Sequence, residues 1–386
     1  MFNAIKLLIK AFCTLLPYRK ELIIFEGNKS FDESSKAIYE YLLNHRISNE
    51  YKYIWFVDRP EKFSNTKNTI FLKYQPTPMY SIKGIIDFVI FIYYNLTAYY
   101  CFYCNVSLGY EFRHKQKRIY LNHGVGLKRL TGKMLSAKMV TNIVTTSGYV
   151  NNIFYKIMPD SENKTILLGA PRNDYLFKKN EKVYSYFASR SEKNKIIWMP
   201  TFRHLANSKR NDYGVSVQTD QHLLTDENIA ILNKKLYEKN CLLVIKLHPF
   251  QDLNFVKNIN VSNIVTITND DIENMQCSTY SLLEYFDALI TDYSSVAYDF
   301  LLTNRQIAFD LSDIKYYENG IGFLVDDIKK MMPGKHLYNV DDLCQFIEDV
   351  CKNRDVYQED RNRIKKIFHK FDDDKSAYRV VNYFNL

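Results

Sequence analysis

The chain has 386 residues, 46% of them hydrophobic and 25% charged. These values exclude large-scale disorder, and the length exceeds what one small core organises, so two domains are expected. A formal charge of +9 points to a polyanionic partner such as a membrane face or a phosphate-rich substrate, while nucleic acid has no zinc-finger or RNP-like stretch to support it.

The first stretch, residues 1–20, is apolar but interrupted by Lys6 and Lys10. It reads as an amphipathic helix, lying at a membrane surface or packed on the protein's own core. It is short for a transmembrane helix and lacks the small-residue cleavage pattern of a signal peptide. Strands are expected at 22–27, 53–58 and 69–72, with a helix at 34–43, an order that indicates a parallel sheet. The most apolar region, 82–100, carries Asp87, which is costly inside a bilayer. A helix followed by a strand from Ala98 to Val106 is therefore expected. The basic run Arg113 to Arg118 reads as a solvated loop or, near a membrane, as an attraction for anionic lipid. Further strands are expected at 118–124, ending in His-Gly, and at 143–147 and 165–169. A second series follows at 195–200, 242–246, 264–267, 288–291 and 306–309. Two consecutive α/β series predict two doubly wound, Rossmann-like domains facing each other across a cleft, joined near Asn180 to Asn194. The seven cysteines, an odd number, fit free buried thiols in a reducing compartment.

In open α/β sheets, ligands bind beyond the carboxyl ends of the strands. The polar residues there are the site candidates. In the first series they are His123 and Gly124, with Lys128. His123 can exchange a proton near neutral pH or merely cap its strand, and Gly124 lets the backbone approach a ligand. In the second series they are Thr201 with Arg203, His248 with Lys246, and Asp292 with Ser294 and Ser295. Arg203 has the fork that grips a phosphate, or it forms a surface ion pair. The two serines either cap the following helix or donate to a phosphate at its start. The turn at Gly169-Ala170-Pro171-Arg172-Asn173-Asp174 reads as structural, with Arg172 a possible cleft residue. No metal-ligand cluster is evident, and the glycine patterns of P-loops and dinucleotide folds are absent.

Five stretches, in order, resemble the CDP-glycerol glycerophosphotransferase family of teichoic acid polymerases and primases. They are Asn122 to Lys128, Gly169 to Asp174, Met199-Pro200-Thr201-Phe202-Arg203, Lys246-Leu247-His248-Pro249, and Leu289 to Ser295 with Asp299. Weaker likeness extends to Phe25-Glu26-Gly27 with Ser35 to Tyr39, and to Asp372-Asp373-Asp374-Lys375 with Arg379. This chain departs from the family at Val125-Gly126, where Thr-Pro is usual, at Phe202, where Trp is frequent, and at Asp374, where Gly is usual.

The resemblance implies a GT-B fold and a peripheral enzyme at the cytoplasmic face of the membrane. Such an enzyme moves a polyol phosphate from a CDP-activated donor to the hydroxyl of a lipid-linked or polymeric anionic acceptor and releases CMP. No cofactor is expected, the CDP-linked donor being substrate. Residues 1–20 would touch the membrane surface, 21–180 would form the acceptor-side domain and 195–370 the nucleotide-donor domain. Residues 371–386 would form a tail helix that crosses back to the first domain. Arg203, Ser294 and Ser295, with Asp292 and Thr201, would surround the donor pyrophosphate. His123 or His248 would serve as general base. A nucleotide-sugar glycosyltransferase would share the fold, and a silent scaffold of a polymer assembly complex is the reading from another class. The polyol, the acceptor and the final polymer, teichoic acid or capsule, are not readable from the residues.

Overall fold

Runs such as Ile54-Trp55-Phe56-Val57 and Leu242-Leu243-Val244-Ile245 are apolar at every position, the signature of parallel strands buried on both faces. A computed structural model describes residues 2–27, 30–45, 50–74, 81–105, 113–129, 136–200, 223–246 and 261–386. In it these runs are strands of two parallel sheets. The first sheet contains β1 (Arg19–Glu26), β2 (Lys52–Val57), β3 (Thr69–Lys73), β4 (Ala98–Tyr103), β5 (Lys117–Tyr120), β6 (Asn142–Thr145) and β7 (Thr165–Leu167). Their order is β3-β2-β1-β4-β5-β6-β7. The second contains β8 (Asn194–Met199), β9 (Cys241–Lys246), β10 (Ile264–Ile267), β11 (Ala288–Thr291), β12 (Gln306–Asp310) and β13 (Lys335–Leu337), in the order β10-β9-β8-β11-β12-β13. Each order reverses direction once, between β1 and β4 and between β8 and β11, which is the doubly wound pattern with its ligand crevice at the reversal.

The chain divides into two compact units. One comprises Met1–His123, Leu135–Asp174 and Asp373–Leu386, and the other Gly124–Met134 and Tyr175–Asp372. In the first unit, alternate residues of each strand feed opposite faces. Ile23, Phe25, Tyr53, Trp55 and Phe102 pack on one side with Ile38, Leu42 and Val380, while Leu22, Ile24, Ile54, Phe56 and Cys101 pack on the other with Phe88, Phe91 and Ile92. Much of the aromatic content is spent here. Phe25 stacks on Trp55 and Phe102 at ring separations of 5.2 and 5.5 Å.

The helix Ser376–Phe384 belongs to this first core. Asp174 receives it, its carboxylate accepting from the backbone N–H groups of Ser376 and Ala377 at 2.9 and 2.8 Å. A carboxylate at a helix start satisfies donors that the helix itself cannot. Arg379 forms a two-pronged pair with Asp373 and donates to the Leu168 carbonyl. Gly169 has φ +87°, and a Cβ there would stand 2.5 Å from the Ser376 hydroxyl, so only glycine fits.

On the opposite face of the sheet, the helices Phe2–Leu15 and Ile82–Thr97 pack together. Cys13 and Ile92 face inward, but Leu7, Leu8, Phe12 and Leu15 are 65–85% exposed, and Ile82 and Ile86 are also exposed. Arg113 closes the helix ends, donating to the carbonyls of Leu16 and Leu96 at 2.6 and 3.1 Å and lying on the Tyr18 ring. Arg118 is buried. The exposed basic residues of that run are therefore His114, Lys115 and Lys117. Among the described residues no helix is long and apolar enough to cross a membrane.

Candidate active site

At the end of β11 the chain enters Asp292-Tyr293-Ser294-Ser295 and then the short helix Val296–Phe300. Thr291 donates across the reversal point to the Met199 carbonyl at 2.7 Å, joining the ends of β11 and β8. Asp292 is buried, whereas Ser294 and Ser295 are half-buried. Ser295 occupies the cap position, yet its side chain makes no capping bond to the helix. Between these residues Tyr293 turns inward. Its hydroxyl donates to Asp313 at 3.0 Å, and its ring lies 4.1 Å from Tyr317 and 5.3 Å from Phe323. Asp299 is used within the fold, accepting from the Tyr280 hydroxyl at 2.7 Å.

The segment after His123 packs in the same unit as this turn. Leu127 accepts from Leu324 N–H at 2.8 Å, Arg129 N–H donates to the Gly322 carbonyl at 3.0 Å, and Lys128 bridges Phe323 in antiparallel fashion. The Arg129 side chain adds a bond to the Phe323 carbonyl. A Cβ built on Gly126 would lie 3.7 Å from the backbone nitrogen of Ser295 and from its Cβ. Two stretches some 170 positions apart, Gly126 to Lys128 and Tyr293 to Ser295, thus come together through Phe323. Lys246, at the end of β9, is buried and donates to the Asn269 side chain at 3.0 Å.

In the first unit, β5 is followed by Leu121-Asn122-His123. Asn122 has φ +49°, a left-handed conformation that asparagine tolerates better than most residues. Gly124, at φ +117°, takes a conformation that suits glycine alone. His123 is exposed, and its Nδ1 lies 3.2 Å from the Cys104 carbonyl at the end of β4. A carbonyl only accepts, so Nδ1 is the donor in this contact, and in a neutral ring the lone pair is then on Nε2, the form a general base requires. Burial, helped by the charge of Glu33, pushes the Cys104 thiol up to about 12, so it stays a neutral thiol, 3.5 Å from the Ser35 hydroxyl. Arg172 is buried; its Nη1 donates to the Asn122 carbonyl at 2.9 Å.

Thr201, Arg203 and His248 lie outside the described residues. Of the other candidates, Asp292, Ser294 and Ser295 share one turn, and Gly124 and Lys128 belong to the segment that reaches it. His123 and Arg172 meet through Asn122. Lys246 and Asp299 are engaged by Asn269 and Tyr280. Sequence reasoning missed Tyr293, Asp313 and the pairing partner Gly322–Leu324. Asn122, immediately before His-Gly, was the available sign of a tight turn. Among the described residues no group of three or more His, Cys, Asp or Glu is placed to hold a metal ion.

Two doubly wound α/β units with polar turns at the carboxyl ends of their strands define a fold of the GT-B class. The wall teichoic acid polymerase TagF shares that fold, with a TM-score of 0.74 at 21% identity over 98% of this chain and 93% of that one. Relatives in sequence include the teichoic acid poly(glycerol phosphate) polymerase of Bacillus spizizenii, 26% identical over 378 residues, or 90% of this chain and 87% of that protein. The teichoic acid glycerol-phosphate primase of Bacillus subtilis is 28% identical over 236 residues, 60% of this chain and 54% of the relative. The family model of CDP-glycerol:poly(glycerophosphate) glycerophosphotransferase matches residues 8–385, and the chain belongs to that family of enzymes.

Proposed function

We propose that this enzyme transfers glycerol phosphate, or a similar polyol phosphate, from a CDP-linked donor to an acceptor hydroxyl in the synthesis of a teichoic acid-like or capsular surface polymer. The observation that carries the reading is the His123 ring, exposed and fixed by Cys104 in the tautomer that accepts a proton at Nε2. In this reading the acceptor oxygen attacks the phosphorus that bears the polyol. Its proton passes to His123, and the bond from that phosphorus to the bridging oxygen breaks to release CMP. The half-buried hydroxyls of Ser294 and Ser295, with Arg203 and Thr201, bind the donor pyrophosphate and stabilise the charge that grows on the leaving oxygen. His248 assists the leaving phosphate. Asp292 shapes the same turn, and Lys128 adds positive charge beside it.

The acceptor is lipid-linked or polymeric and anionic, and the enzyme works as a peripheral protein on the cytoplasmic face of the membrane. The exposed Leu7, Leu8, Phe12 and Leu15, flanked by Lys10 and Lys20, support that placement. Offering CDP-glycerol, CDP-ribitol and a nucleotide sugar together, and identifying product and released nucleotide by mass spectrometry, tests the reaction. CMP with a phosphodiester product is expected; a nucleoside diphosphate with a glycoside would replace this reading by a glycosyltransferase. Flotation with anionic vesicles tests the placement. Leu7→Ser with Leu8→Ser and Phe12→Ser is expected to stay in the aqueous fraction, and equal flotation with the unaltered protein would remove the helix as anchor.

A further inference from the structure

Of the non-glycine residues of the first unit that hold positive φ, Glu33 at +66° and Asn122 at +49° adjoin one buried side chain. That side chain is Arg172, 1% exposed. Its Nη1 donates to the Asn122 carbonyl at 2.9 Å, its Nε lies 4.0 Å from the Glu33 carboxylate, and its backbone N–H reaches the Ser34 hydroxyl at 3.3 Å. Asn122 is held on its other side by its own amide, which donates to the Val144 carbonyl at 2.9 Å. A buried guanidinium is costly unless its charge and donors are matched. Here a carboxylate and a backbone carbonyl match it.

We infer that Arg172 is a positioning residue for His123. The inference rests on His123 being the base. The Asn122 carbonyl belongs to the peptide whose nitrogen is that of His123, so fixing this carbonyl fixes the plane from which the histidine side chain departs. The ring is oriented through Nδ1 by the Cys104 carbonyl. An exposed imidazole also depends on the turn that carries it, and that turn relaxes if its carbonyl is released. Arg172 holds the carbonyl from inside the protein, where it is too buried to meet a substrate. Lysine cannot replace it: a single ammonium does not span both the carbonyl and the carboxylate as the planar fork does.

The test is a double-substitution cycle on the full chain, read as CMP release with CDP-glycerol as donor. Arg172→Lys is expected to lower kcat on the order of 100-fold, as a misplaced catalytic group does, with donor KM changed less than about twofold. In a His123→Ala background the same substitution is expected to cost less than about twofold, because there is no ring left to position. An equal loss in both backgrounds overturns the inference and leaves His123 as base. If His123→Ala alone keeps normal turnover, the reading of the base fails first, and that outcome is separate from the other. Should Arg172→Lys not fold, Asn122→Gly serves in its place. It keeps the left-handed backbone without the Val144 anchor, and it is expected to lower kcat several-fold with His123 present and not at all without it. Full activity of Asn122→Gly together with a normal nitrogen chemical shift for the His123 ring counts against the inference.

Discussion

The His123 turn and the Asp292–Ser295 turn end strands of two sheets with the same reversal, yet they are held by different chemistry. The first is a polar assembly: a left-handed Asn122, a buried Arg172, and a ring bonded to a backbone carbonyl. The second is fixed from behind by an aromatic cluster, Tyr293 against Tyr317 and Phe323, with the Tyr293 hydroxyl bonded to Asp313. A proton-transfer group must point within a fraction of an ångström, which directional bonds achieve. A phosphate cradle needs its hydroxyls presented on a stiff support, which packing achieves.

The contrast can be broken at each end. His123→Ala has the largest expected effect, a fall in kcat on the order of 100- to 10,000-fold with little change in melting temperature, because the side chain is exposed. Comparing turnover with thermal unfolding checks both halves. Ser294→Ala with Ser295→Ala comes next: a rise in donor KM of roughly tenfold or more and near-normal stability, since hydrogen bonds to charged groups contribute about 1.5–3 kcal/mol each. Titration with a CDP-linked donor reads this directly, and unaltered donor affinity would return these serines to a structural role. Tyr293→Phe is a smaller step. Removing one buried hydroxyl is expected to cost about 1–2 kcal/mol in urea unfolding, with donor KM rising more than kcat falls. The reverse split would place Tyr293 with the proton-transfer side.

The smallest effect serves as a control remote from both turns. Lys235 and Lys352 pull the Glu348 carboxyl from 4.5 down to about 2. Its pKa is lower in the folded than in the unfolded chain, so its stabilisation is complete above about 4.5 and is lost as the pH falls towards 2. Glu348 is half-buried at the surface and its Lys352 partner reaches solvent, so screening is expected to keep the effect slight. Melting curves of the unaltered protein and Glu348→Gln should differ at pH 6 and converge near pH 2, with turnover at neutral pH unaffected.

The strands were legible because parallel strands buried on both faces are written as apolar runs. The segments 264–267 and 288–291 coincide with β10 and β11 to the residue. The strand expected from Ala98 to Val106 contains β4, which stops at Tyr103. Lys335–Leu337 escaped notice because three residues, two of them polar, carry no periodicity. The polar turns could be placed at strand ends, but not their supports. That Phe323 bridges Lys128 depends on a pairing between distant segments without pattern on either side. Arg172 looked like a cleft residue, since composition cannot show that a guanidinium is enclosed. Asp299 stood as a candidate because its partner, Tyr280, lies on a neighbouring helix.

The seat of the helix Ser376–Phe384 on Asp174 has a consequence for how the protein is made. The bonded residues are separated by 202 and 203 positions, and the intervening chain holds nearly all of the second unit. During synthesis that unit can close as soon as its own residues emerge. The sheet that carries His123 waits, with the side of its core around Val380 and Phe384 uncovered, until the later helix arrives. Long-range closure of this kind is slow and leaves apolar surface open to aggregation in the interval. The half of the enzyme translated first is therefore the half that matures last.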